Sequence, residues 1–221
     1  MGKVAELNDL VRILFAEDSP EVRRRFHRAL ASELRQLVPL TSASIRSAIE
    51  FNEFASGYPD REKVACLIFS AIQGFVVSMR LFFDGLLVPS GNVQRQVLES
   101  IAMAVLCSKP NLGYLRRFDN DEYSSKNAIR DVKRSADNLS VKKSAIAEID
   151  RMAKFYSLFS HPTKMTIALN SDFSQPSNLH FGGHFDKAKL PQYRREAASR
   201  IKLARILPPF VEGVRQNLSA T

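Results

Sequence analysis

The chain has 221 residues, with 32 Lys or Arg against 23 Asp or Glu, a net charge of +9 and a sequence pI near 9.8. Aliphatic and aromatic residues make up 45%, with only 9 Gly, 10 Pro and 2 Cys and no Trp. This composition excludes a disordered polyampholyte, a collagen-like fibre and a disulfide-dense secreted mini-domain, and the length suits one domain with a substantial core.

Ser19-Pro20-Glu21 supplies an N-cap, a proline at the first helical position and an acid in the first turn, so a helix is expected over 20–37, stopped by Pro39. Thr41 or Ser44 can cap the next, which carries Ile45, Ile49 and Phe54 at helical spacing until Gly57-Tyr58-Pro59 ends it. These N-terminal helices occupy 1–58. A long apolar helix is then predicted over 61–87, a turn at Val88-Pro89-Ser90-Gly91-Asn92, and a second apolar helix over 92–108. Between Val64 and Ser108 only Arg80, Asp84, Arg95 and Glu99 are charged. Segments so poor in charge cannot face water around much of their circumference, so the pair is expected as an antiparallel hairpin at the centre of the molecule, within 60–108. Arg80 interrupts the apolar run too early for a bilayer, which needs about 20 apolar residues, and no membrane span is expected.

The chain turns basic over 109–143, with peripheral helices expected near 112–118 and 122–137, within 109–138. A helix over 140–161 places Ile149, Met152, Tyr156 and Phe159 on one stripe, with Asp150 and Lys154 as an i,i+4 pair, until Pro162 stops it. Alternation in 165–170 and 179–185 predicts a small two-stranded antiparallel β ribbon. Pro191 opens a C-terminal helix over 191–218 that Pro208-Pro209 should break or kink. The fold class is mainly α, a single domain spanning 1–221, with six to eight helices around the hairpin and one ribbon. Cys66 and Cys107 both lie in apolar segments and read as buried, reduced thiols; with no apolar signal region after Met1, a cytoplasmic protein is expected.

No phosphate loop, dinucleotide fingerprint, nucleophile elbow or zinc-cysteine pair is present, and nothing calls for a cofactor. Four constellations carry the remaining chemistry. His180, His184 and Asp186 would share one strand face, two imidazoles and a carboxylate being a reasonable set for a divalent metal; the bland alternative is a solvated strand face. Lys154, Ser157 and His161 would line one helical stripe as a nucleophile and base, or His161 would simply stabilise the helix end. Arg80, Asp84, Arg95 and Glu99 should form a buried polar network, fixing the register of the hairpin or lining a pocket for an anion. Lys187, Lys189, Arg194, Arg195, Arg200, Lys202 and Arg205 face the single acid Glu196 over 187–205, the electrostatic footprint of nucleic acid or another anionic partner, or a merely solvated surface.

Arg95-Gln-Val-Leu-Glu99 after an apolar helix, the Tyr156-Ser-Leu-Phe-Ser-His-Pro162 helix end and Gly182-Gly-His-Phe-Asp186 together resemble uncharacterised bacterial all-helical proteins whose core is similar to the HEPN and abortive-infection superfamily. The resemblance covers roughly 60–187. It implies a helical bundle, frequent dimerisation and a place in toxin–antitoxin or phage-defence systems, with RNA cleavage in some members. The nucleolytic members carry an Arg followed after four to six residues by a His. No Arg stands at that offset before His27, His161, His180 or His184, and no catalytic role is carried over.

The expected function is therefore a HEPN-like module, non-catalytic or catalytically degenerate, that binds a partner protein as a homodimer or heteromer, with nucleic acid on its basic helices. The alternatives are an enzyme, either an RNase with a rearranged Arg151/His161 pair or a metal-dependent hydrolase using His180, His184 and Asp186, and a structural subunit of a larger assembly.

Overall fold

A computed structural model describes Val11 and residues 20–171 and 182–219. Among the described residues there are nine α-helices: α1 (Pro20–Ala29), α2 (Ala31–Ala55), α3 (Pro59–Phe83), α4 (Leu87–Cys107), α5 (Tyr114–Asp119), α6 (Ala128–Arg134), α7 (Lys143–Ser157), α8 (Lys164–Leu169) and α9 (Leu190–Ser219). The expected hairpin is α3 with α4. These two make the most extensive helix pair, α6 and α7 pack on α4, and α9 lies along α2.

Small residues let α4 approach its neighbours closely. A Cβ on Gly74 would come within 3.0 Å of Val97, and one on Gly91 would run into the Phe159 ring at 2.2 Å. Ser78 Oγ donates to the Ser90 carbonyl and Ser90 Oγ to the Ser78 carbonyl, both at 2.8 Å, a reciprocal clasp across the hairpin. α4 is buried along most of its length. By contrast α3 buries one face, Val64, Ile68, Ala71, Phe75, Ser78 and Phe82, at alternating steps of four and three. It is the one helix among the described residues long and apolar enough, by length and composition, to cross a membrane, and 44% of that apolar window is buried.

α1 is polar and only ten residues long, too short to persist alone. Phe26 anchors it, with its ring 4.8 Å from Tyr193, 5.0 Å from Phe185 and 5.6 Å from Phe82. Full burial of such a ring contributes about 1.5–3 kcal/mol. Arg23 adds a hydrogen-bonded ion pair to Asp84 at 2.6 Å in the α3–α4 turn.

Several boundaries differ from the sequence expectation. The first helix ends at Ala29, and α2 begins at Ala31 and runs straight through Pro39. Pro39 and Arg35 both face solvent, so the carbonyl that the proline leaves without a helical donor meets water. The α3–α4 turn falls at 84–86, where Gly85 adopts φ +75°, and not at 88–92. Pro89 lies in the first turn of α4, where an N–H has no helical acceptor to lose. Likewise α9 continues through Pro208 and Pro209 to Ser219. Among the described residues the expected β ribbon is not formed. Residues 164–169 form α8, because Thr163 and Thr166 make a reciprocal capping box, Thr163 N donating to Thr166 Oγ1 at 2.8 Å and Thr166 N to Thr163 Oγ1 at 3.2 Å. Of the second predicted strand, 179–181 lie outside the described residues and 182–185 are irregular. Cys66 is exposed, since it lies on the outward face of α3; only Cys107 is buried.

Two measurements test these placements. Pro39→Ala restores the bond to the Arg35 carbonyl and should stabilise the protein by about 1–3 kcal/mol, read as a higher denaturant midpoint at unchanged m-value. Burial pushes the Cys107 thiol up to about 12, so a thiol reagent at pH 8 should label one sulfur per native chain, and a second only on unfolding.

Candidate functional site

α9 carries the group around which the site is built. Arg200 is 1% exposed, and its guanidinium inserts between α9 and the α3–α4 hairpin. Nη1 donates to Ser78 Oγ and, at 3.2 Å, to Gln94 Oε1; Nη2 donates to Ser90 Oγ at 2.8 Å; Nε donates to Glu196 Oε1 at 3.0 Å. The two serines that clasp the hairpin thus present their lone pairs to the cation while their protons go to backbone carbonyls. Glu196, one turn earlier on α9, supplies the compensating charge and also accepts from Tyr156 Oη at 2.7 Å. Burial keeps the Tyr156 hydroxyl protonated far above its ordinary range, so it acts as a fixed donor. The rings of Phe82 and Tyr156 lie 5.0 and 5.8 Å from the guanidinium carbon.

This network floors a cavity of about 430 Å³ enclosed by the start of α4, α7, α8 and α9. Phe82, Leu87, Phe155, Phe159, Met165 and Leu169 give it apolar walls, and Arg151, Gln192, Arg195 and Ser199 edge it. Its size lies within the ordinary range for small-molecule sites, roughly 300–1,000 Å³. Arg151 donates to both carboxylate oxygens of Glu148 and holds that carboxyl below the usual range, so the pair stays ionised at neutral pH. Arg195 is exposed and has no carboxylate partner among the described residues. A second cavity, about 470 Å³, lies between Val141–Ile149 and Ile206–Gln216, but its charged residues Lys142, Arg205 and Glu212 are all solvated. Only the first joins apolar walls to a desolvated ionic floor.

The residues singled out from sequence are distributed as follows. Of the seven basic residues of 187–205, Lys187, Arg194, Arg195, Lys202 and Arg205 are exposed, while Lys189 and Arg200 are internal and present no charge to a surface partner. Helical periodicity explains the division: Arg200 is one turn from Ala197 and Leu203 and two turns from Tyr193 on the buried stripe. The expected network of Arg80, Asp84, Arg95 and Glu99 resolves into separate pairs. Asp84 takes Arg23, with Arg80 at 3.9 Å and largely exposed, and Arg95 donates to Glu99 at 3.0 Å on a half-buried face of α4. The hairpin's register is held instead by Ser78, Ser90 and Gln94.

For the metal set, His180 lies outside the described residues. Lys189 Nζ is 3.4 Å from His184 Nε2 and 3.9 Å from Asp186 Oδ2, and donates to the Leu169 and Ser171 carbonyls. An ammonium therefore sits against both groups that a cation would need, and no metal-ligating cluster occurs among the described residues. The Lys154, Ser157, His161 stripe is not formed, because α7 ends at Ser157, whose hydroxyl donates to the Lys154 carbonyl at 2.7 Å. His161 lies exposed in the connection to α8, where its carbonyl accepts from Thr166, so it does not cap α7 as expected; Arg151 is on the cavity rim. Asp150 and Lys154 do pair, at 3.1 Å.

Sequence reasoning missed Ser78, Ser90, Gln94, Tyr156 and Glu196. A signal existed: Glu196 is the only acid in the basic stretch and stands four residues before Arg200, and the two serines interrupt otherwise apolar runs.

Replacing Arg200 with Met leaves Glu196 without its cation and should cost about 3–5 kcal/mol, measured by denaturant unfolding. Adding Glu196→Gln should recover part of that loss, since the stranded charge disappears.

Comparison with protein-family models, with curated proteins and with solved structures finds no significant match, so the functional reading of this chain rests on its own geometry.

Proposed function

We propose that the protein is a helical binding module whose cavity takes an amphipathic anion: an apolar body of drug-like size bearing one carboxylate or comparable acid. The observation that carries this is the pairing of charges around an apolar chamber. Arg200 is neutralised by Glu196 and Arg151 by Glu148, leaving Arg195 at the mouth as the cation to meet a ligand's acid. The apolar walls supply binding energy and the guanidinium supplies selectivity.

A HEPN-like kinship belongs to the same proposal. It rests on the sequence motifs; in the fold Ser160 Oγ meets Asn92 Oδ1 at 3.0 Å, so the helix end of one motif lies against α4 one turn before Arg95 of the other. A second reading, contact with a phosphate-bearing polymer, is favoured by Arg194, Lys202 and Arg205 sharing one exposed stripe of α9; binding there should fall steeply with added salt.

Thermal melts with straight-chain C8–C12 carboxylates, and with the matching alcohols and amines, test the cavity. A ligand at about 100 times its Kd adds about 2.7 kcal/mol, which for a chain of this size is a rise of roughly 5–10 °C in Tm. Carboxylates should exceed alcohols, and amines should fall below both. Arg195→Gln should reduce the carboxylate shift to that of the alcohol, and Leu169→Trp, which puts an indole into the chamber, should reduce both. Equal shifts for acid and amine, or shifts unchanged by Leu169→Trp, would overturn the reading.

A further inference from the structure

The outward face of α3 is the other feature that packing within the chain leaves unexplained. From Glu62 to Arg80 the exposed positions are Cys66, Phe69, Ser70, Gln73, Val76 and Val77, all uncharged except Lys63 at the Glu62 end. Phe69 is 64% exposed, in a helix whose opposite face is core. Exposed large apolar side chains standing singly are ordinary, but a stripe without charge over the three turns from Cys66 to Val77 marks an interface. α2, which packs beside α3, carries a second such stripe at Val38, Ile45 and Ile49.

The order of residues along this stripe identifies the occupant. Positions 62, 66, 69, 73, 76 and 80 recur at alternating steps of four and three, the spacing of a coiled-coil seam. They also reflect onto one another about Ala71: Glu62 onto Arg80, Cys66 onto Val76, Phe69 onto Gln73. Antiparallel pairing with a copy of itself in that register sets Glu62 against Arg80 at both ends, Cys66 against Val76, and the Phe69 rings against the Gln73 amides between them. We infer that α3 pairs antiparallel with α3 of a second copy of this chain across a two-fold axis passing near Ala71. An isologous contact of this kind uses one patch twice and closes as a dimer.

Size sets the strength. Eighteen residues of helix span about 27 Å, and a patch two helices wide buries about 500–600 Å² per copy, at the lower limit for a specific interface. An interface of that size goes with weak, concentration-dependent association. It involves neither the cavity nor its network, and stands independently of the ligand reading.

Sedimentation equilibrium of the full chain from about 5 to 200 µM tests it. Self-association to a dimer is expected, and Phe69→Glu should weaken it at least about tenfold, because the axis places the new charge in the interface twice. Phe69 is exposed in the protomer, so the variant should keep its helicity and Tm. Register is tested separately with Val76→Cys: mild oxidation by oxidised glutathione should join it to Cys66 of the partner subunit, whereas the unsubstituted chain should not cross-link through Cys66 alone. A protein that stays monomeric to 200 µM, association indifferent to Phe69→Glu, or cross-linking of unsubstituted Cys66 to itself would each overturn the inference. So would monomeric protein whose α3 face binds phosphatidylcholine vesicles in flotation, which would make lipid the occupant.

Discussion

A guanidinium removed from water must be compensated on every side, and Arg200 imposes that condition on the centre of this molecule. Isolated burial of such a charge is costly beyond anything a small domain's net stability could absorb. Its donors are therefore distributed over three helices, to Ser78 on α3, Ser90 and Gln94 on α4 and Glu196 on α9, and only one relative placement of those helices satisfies them together. A sliding α9 would strand the cation. Apolar packing alone tolerates such slippage far better, because Leu and Ala surfaces are chemically alike along a helix.

The same geometry creates the cavity. Tyr156 on α7 reaches Glu196 with its hydroxyl, so α7 is held at the distance of that hydrogen bond from α9, and the space beside it is closed by Phe159 lying on Gly91 and by the short helix α8. α8 is itself fixed at both ends, by the Thr163–Thr166 box and by the Lys189 ammonium on the Leu169 carbonyl. The chamber is thus the gap left between two hydrogen-bonded polar assemblies, which explains why it has a charged floor and apolar walls. α3 bears the consequence on its far side. Having one face committed to α4, it turns a second apolar face outward.

Local pattern made much of this legible. Absence of charge across Val64–Ser108 predicts the central hairpin, and the apolar period in α7 predicts a helix that buries one stripe. Where expectation and structure part, a local rule met a context it does not contain. Pro39 and Pro208-Pro209 break helices only when the lost hydrogen bond is not replaced, and Pro39 has water in its place. Residues 165–170 alternate like a strand, but a six-residue run fits either period, and the capping threonines decided for helix.

Which charges go inside could not be read in this way. By itself the sequence determined a helical, basic chain with a neutral hairpin at its middle, because charge density and helical period are properties of neighbouring residues. Only the tertiary structure decided that Arg200 and Lys189 leave the basic surface. The groups that make burial of Arg200 favourable include Ser78, 122 positions away, and a partner at that separation has no signature in local sequence.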